Sequence, residues 1–456
     1  MNRRTFWFTV VTALFLSQFR LLANAQEPNI PKNLIVVGGS NYPCSAAGIN
    51  SAVKAVGAQG VVDARGCAGN QTASETITLG SAVELRLGAS IWTLGGSPGI
   101  NMVADGAKVI GQGWGATILS TNSGTADLIQ VSGTFQEIGG MALKVNSPVP
   151  RTEGAEIHLA GAHGHLNAHD LVISGGYYGI WLSTKSGGDF HNIQFNYAAG
   201  GNWAAFIQIG PSPTCCIASS RFSNILANGG PHPPSVAGIV IDSGTDTMEF
   251  SNVDFGHISG TSFTSLWLKD SLANGHPPEW MRFANSSFEG DGEGQAAIKI
   301  TGCRGCMFSN TSAGVGAATN AVVISGGQIL GLSWIGGFIT GGQQQAIVVS
   351  GVEGFTISGA SIGGSSHGSA GNYCDLEVHG GLSNFQIVNN VFHHFGLGAR
   401  IPARCSIRIG SGPGGRFVVT GNLLEDGTGD PLMNGATGPE IYIWGNPGSR
   451  VAVGMP

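Results

Sequence analysis

The chain has 456 residues, of which 75 are glycine, and only 11% are charged, with 21 Lys and Arg against 27 Asp and Glu. The glycines keep no three-residue period, which excludes collagen, and a hydrophobic fraction of 42% at net charge −6 excludes charge-driven disorder. No basic field is present for phosphates to feel, so nucleic acid is not expected as a partner, and a glycine-punctuated, β-rich chain with ample core material remains.

Residues 1–25 read as a signal peptide. Arg3 and Arg4 make a positive start, residues 6–16 are mostly apolar, and Ala23-Asn24-Ala25 offers a small-x-small cleavage site. The apolar run is too short for a membrane span, so the mature chain is expected to be secreted or periplasmic. Segment 26–82 carries a short capping helix, because Ile49, Val53 and Val56 share one helical face that suits a lid over an open coil. The eight cysteines of an exported chain point to disulfides before metals. Cys44 and Cys67 flank the helix and can staple it. Cys303 and Cys306 form a lone CxxC without the second pair that zinc wants, and a bridge between the vicinal Cys215 and Cys216 would be strained.

From residue 157 an apolar-x-apolar tripeptide recurs every 23 to 34 residues, beginning Ile157-His158-Leu159, Ile180-Trp181-Leu182 and Ile207-Gln208-Ile209. The series ends with Leu376-Glu377-Val378, Ile407-Arg408-Ile409 and Ile441-Tyr442-Ile443. Such alternation places two side chains inward and one outward on a strand, and units of this length joined by tight turns make a solenoid. A second column repeats with it: Asp170, Asn192, Asn224, Asn252, Asn285 and Asn310, with related turns at Asn390 and Asn422. Asn tolerates left-handed backbone and bonds to its neighbours, so one per coil predicts a ladder of turns. The connections are too short for crossover helices. The expectation over residues 83–456 is therefore an all-β, single-stranded, right-handed parallel β-helix. Cys374 and Cys405 each stand two residues before a tripeptide and should bond across successive coils.

The stretch from Ala46-Ala47-Gly48-Ile49 through Val62-Asp63-Ala64-Arg65-Gly66, followed by residues 106–113, resembles the opening of pectate-lyase-like right-handed β-helix proteins. That superfamily includes pectate lyases, polygalacturonases, uronan epimerases and phage tailspikes. The resemblance covers most of the mature chain as architecture and implies a polysaccharide or other glycan as partner. The family's catalytic motifs do not transfer. Gly256-His257-Ile258 and Ile298-Lys299-Ile300 are fragments, there is no Asp-Asp pair, and Arg400-Ile401-Pro402-Ala403-Arg404 is one residue short of a lyase segment.

The middle residues of the tripeptides, ending at Tyr442, and a parallel outward column two residues further on, which includes Asp242 and Lys269 and ends at Trp444, offer a site by geometry. Asp242 and Lys269 are the candidate catalytic pair, Trp181 and Trp267 a platform for sugar rings, and Lys299 a partner for a substrate carboxylate. The competing reading is a solvated face with an ordinary Asp–Lys pair. His158, His163, His165 and His169 cluster in sequence but match no familiar zinc spacing, so no metal site is assigned. Calcium is the one cofactor suggested, at Glu289-Gly290-Asp291-Gly292-Glu293, against a plain acidic loop. The functional expectation is a secreted protein acting on an acidic polysaccharide as a lyase or a glycoside hydrolase of the pectin-degrading type. A non-catalytic glycan-binding or structural β-helix is the alternative.

Overall fold

Each tripeptide forms a short strand whose outer two side chains point inward. Ile239, Ile241, Leu266, Leu268, Ile298 and Ile300 are all fully buried. Every strand pairs in parallel with the same position one coil on, as in Ile207↔Ile239, Ile239↔Leu266 and Leu266↔Ile298. The result is a right-handed parallel β-solenoid of about 14 turns that is only 3% helical. The computed structural model describes residues 33–448 apart from 147–150, 162–163, 185, 197–201, 214, 228–233, 257–262, 273–274, 293–294, 316–317, 382, 395–400, 412–414 and 437–439. The expected signal peptide, His163, His257, Glu293 and Arg400 lie outside the described residues.

The tripeptide face begins earlier than its sequence signal, at Ile77–Leu79, and runs to Leu432–Asn434. At its end one assignment is corrected. Ile407 pairs with Leu432, whereas Ile441 pairs with Phe417 on another face. Leu432-Met433-Asn434 closes on a polar residue, so apolar alternation passes over it and selects Ile441–Trp444 instead. Tyr442 and Trp444 therefore leave the outward columns of this face.

Each coil continues into a second face, bends, and forms a third. The bend residue has left-handed backbone: φ is 53° at Asp170, 55° at Asn192, 54° at Asn224, 53° at Asn252, 50° at Asn285 and 47° at Asn310. Amides link these bends along the axis, with Asn192 Nδ2 donating to Asp170 Oδ1 at 3.0 Å, Asn224 to Asn192 at 3.1 Å and Asn252 to Asn224 at 3.2 Å. Where the sequence pattern lapses, Gly336 and Gly359 take the bend at φ 69° and 64°. Further on the left-handed residues are Asn389 and Gly421, and the expected turn residues Asn390 and Asn422 follow them as buried side chains. Burial obliges their amides to find partners, and Asn390 Nδ2 donates to Asn422 Oδ1 at 3.0 Å and Asn422 Nδ2 to Asn446 Oδ1 at 2.9 Å.

Inside, Phe190, Phe222, Phe250, Phe283, Phe308 and Trp334 form one ring column with centroids 4.6, 4.7, 4.8, 4.8 and 4.7 Å apart. At the N-terminal end the helix Ala46–Val56 is capped by the Ser45 hydroxyl, which accepts from Gly48 N at 3.1 Å. Its buried Ile49, Ala52, Val53 and Val56 pack toward Val61–Ala64 and Ile77–Leu79. Cys44 bonds to Cys67 and Cys374 to Cys405, with Cα atoms 5.6 and 4.5 Å apart. Cys215–Cys216 and Cys303–Cys306 pair as well.

Two outcomes test this register. Ile239→Asp buries an unpaired charge and should cost several kcal/mol, roughly, so the soluble yield and the melting transition should collapse. Asn224→Val forces a β-branched residue into left-handed backbone and breaks the amide ladder, which should destabilise by about 1–2 kcal/mol or more in thermal melts. Asn224→Gly keeps the backbone and should cost less.

Candidate functional site

The middle residues of the tripeptides stack outward in register, so Trp181 lies beside His158 and Gln208, and Trp267 beside Val240 and Lys299. The structure brings Asp242, Lys269, Trp267 and Lys299 together and leaves Trp181 three coils away in the column. Asp242 is buried, and its Oδ1 accepts from Ser243 N at 2.7 Å and Ser271 N at 3.0 Å. Its Oδ2 lies 3.6 Å from the half-buried Lys269 Nζ. The Trp267 ring carries Lys299 Nζ at 4.2 Å and Lys269 Nζ at 5.2 Å from its centroid, and packs on an apolar patch of Ala205, Ala237 and Val240. Trp181 stacks on the His158 ring at 4.1 Å. The column thus presents tryptophan edges to solvent, with ring faces turned along the solenoid axis.

A concave site lies on the second face, which sequence reasoning left without a role. A groove of about 850 Å³ is lined there by His165, Asp189, His191, Arg221, Glu249 and Arg282, among others. Strand register builds it, since Asp189, Arg221, Glu249 and Arg282 occupy one position on four successive coils. Glu249 lies between two guanidiniums, at 3.4 Å from Arg221 and 3.7 Å from Arg282, and Asp189 pairs with His165 at 3.4 Å. A signal for this column was present in the sequence. Each of these four residues stands three before a ladder asparagine, at Asn192, Asn224, Asn252 and Asn285.

Upstream on the same face Lys108 pairs with Glu137 at 2.5 Å, and His169 bridges Glu137 at 3.2 Å and Asp170 at 2.9 Å. Burial pushes the Glu137 carboxyl up, but Lys108 and His169 outweigh it and hold it below its ordinary value. Burial likewise pulls His169 down, and the bonds to Asp170 and Glu137 outweigh that and leave it raised. The His169 contact keeps Asp170 low. His169 also stacks on His191 at 5.3 Å, which ties this cluster to the groove.

Among the described residues no group of three His, Cys, Asp or Glu is arranged to hold a metal. The sequence cluster of histidines is divided by the chain's turn: His158 lies on the tripeptide face, His165 and His169 on the second. Glu289 sits within the strand Ser287–Gly290, not in a loop, and Asp291 pairs its backbone with Phe263. Among the described residues no helix is long and apolar enough to cross a membrane.

No family model matches the sequence, and no curated protein does. Among solved structures the chain is similar to the Agl-KA catalytic domain, at 14% identity and TM-score 0.48 over 87% of this chain and 64% of that one. It is also similar to the A-module of mannuronan C-5 epimerase AlgE6 of Azotobacter vinelandii, at 13% identity and TM-score 0.35 over 88% and 94%. Tailspike protein 3 of bacteriophage CBA120 aligns at 10% identity and TM-score 0.41 over 87% and 56%. At such identities and TM-scores no site residue or activity is carried across.

The His169 cluster sets a pH dependence. A raised histidine contributes stability that is complete below about pH 6.5 and lost as pH rises through its folded value. The depressed Glu137 contributes above about pH 4.5, and Asp170 above about pH 3.8, and each is lost as pH falls through its folded value. Glu137→Gln should lower the His169 titration midpoint measured by NMR, and its melting temperature should fall furthest below wild type between those two limits, pH 4.5 and 6.5.

Proposed function

We propose that the protein is carbohydrate-active, that it works outside the cytoplasm as a secreted or periplasmic protein, and that it takes an acidic polysaccharide into the groove of the second face. The observation that carries this reading is the pair of guanidiniums flanking Glu249 in a concave strip. Arg221 and Arg282 are 72% and 61% exposed, so their forks are free to turn from Glu249 toward a uronate carboxylate, which they match in bidentate geometry. Eliminative cleavage asks for a base beside the carboxylate and for cations that take up the developing charge. The arginines supply the cations. His191, two residues from Asp189 on the same strand, is the assigned base.

A second reading is hydrolysis by Asp189 and Glu249. One coil intervenes between them, about 9.6 Å from Cα to Cα at ordinary strand spacing, near the upper end of the roughly 6.5–9.5 Å carboxyl separation of inverting glycosidases. A glycan lying on the tripeptide face would instead use Lys269 as base with Asp242 beside it, Lys299 for the carboxylate, and Trp181 and Trp267 as platform.

A panel of uronate polymers, assayed with and without calcium, separates these readings. Elimination yields an ultraviolet-absorbing unsaturated product, and hydrolysis yields reducing ends without it. The expected result is elimination, lowered about 10²–10⁴-fold by His191→Ala, with Arg221→Ala weakening binding and Lys269→Ala neutral. Loss in Lys269→Ala with His191→Ala active would move the site to the tripeptide face. Retained binding without cleavage would establish a glycan-binding protein.

A further inference from the structure

A second constellation lies on the tripeptide face, clear of the groove. Asp127, His158 and Ser183 come from three successive coils, each placed by the strand beside it: Ile129–Val131, Ala155–Leu159 and Tyr178–Leu182. His158 Nδ1 lies 2.7 Å from Asp127 Oδ2, and His158 Nε2 lies 2.8 Å from Ser183 Oγ. The carboxylate is itself held in place, because Asp127 Oδ1 accepts from Ala155 N at 2.8 Å. The imidazole is held from the side by Trp181, whose ring is nearly parallel at 7°. Asp127 and His158 are 16% and 12% exposed, which limits competition from water while leaving the histidine reachable.

These distances set the proton positions. An ionised Asp127 only accepts, so Nδ1 carries the hydrogen and Nε2 holds the lone pair aimed at Ser183. The Ser183 hydroxyl then donates to Nε2. The Leu159 carbonyl at 3.2 Å is its alternative acceptor, available once the ring is doubly protonated. A serine beside a histidine that a third group orients is the arrangement that activates an oxygen nucleophile.

We propose that Asp127, His158 and Ser183 form a serine esterase centre that removes a small O-acyl group, such as an acetyl ester on a carbohydrate hydroxyl. Ser183 Oγ attacks the acyl carbon as its proton passes to His158 Nε2. The ester C–O bond breaks, the departing alcohol oxygen takes that proton, and acyl-Ser183 remains. Water then attacks the acyl carbon and gives a proton to Nε2, and the carboxylic acid leaves as that proton returns to Ser183. One ester and one water become one alcohol and one acid. The half-buried Tyr178 and Trp181 supply apolar surface beside the nucleophile for the acyl chain. This activity is independent of how, or whether, the groove cleaves a glycan.

The test treats the full-length mature protein with a fluorophosphonate and with p-nitrophenyl acetate. The expected result is one phosphonyl adduct on the peptide bearing Ser183, competed by the acetate ester, and ester turnover that falls about 10²-fold or more in Ser183→Ala and in His158→Gln. Asp127→Asn should also lower turnover while leaving the melting temperature near wild type. Should the His158 variant fail to fold, the wild-type adduct and the turnover of Ser183→Ala decide. Absence of an adduct on Ser183 in folded protein would overturn the proposal, as would undiminished ester turnover in folded Ser183→Ala.

Discussion

The structure depends on one repeated contact: like residues stacking on like, one coil apart. The interior ring column from Phe190 to Trp334 holds its centroids at 4.6–4.8 Å over six coils. That interval is the strand spacing imposed by backbone hydrogen bonding, so ring contact and ladder geometry are satisfied by the same translation. A side chain without a flat ring at one level would break ring contact with both neighbours. The column thereby enforces register, and register assembles every outward feature from residues that are 22 to 33 positions apart in sequence.

A periodic core demands that every coil turn at the same place. Left-handed backbone costs an ordinary side chain roughly 1–2 kcal/mol, and asparagine or glycine reduces that cost in different ways. Asparagine adds an amide that bonds to the coil before it, as at Asn192, Asn224 and Asn252. Glycine at 336 and 359 meets the backbone requirement alone. The buried Asn390–Asn422–Asn446 series moves the same logic indoors, where unsatisfied amides would be costly.

Stacking also brings charges to fixed intervals on the second face. Like charges about 4.8 Å apart would repel by nearly 1 kcal/mol per pair even at water's dielectric constant. The sequence meets this by alternating sign: Glu84, Lys108 and Glu137 in one run, and Asp189, Arg221, Glu249 and Arg282 in the next. The exposed pairs add little to stability. Their consequence is a strip of donors and acceptors with one element per coil, suited to an extended charged polymer.

Periodicity in the sequence determined the solenoid and its inward residues from Ile157 to Ile409 through apolar alternation, the capping helix through helical spacing, the bend ladder through one asparagine per coil, and the Cys374–Cys405 bond through equivalent places on successive coils. All of these follow from local periodicity, which survives without knowledge of any partner. Alternation failed at Leu432–Asn434, where an asparagine ended the tripeptide and only pairing with Ile407 revealed the strand. It also brought Asp242, Lys269, Trp267 and Lys299 into one neighbourhood. Whether a side chain there faces solvent or is already engaged was decided by tertiary contacts, such as the two amides on Asp242 and the Lys299 ammonium on Trp267. The groove and the Asp127–His158–Ser183 chain depend on three-dimensional proximity between residues one or more coils apart. Coil lengths vary, so sequence distance sets no angle or depth. Which faces curve inward, and which side chains meet there, is fixed only when the coils stack.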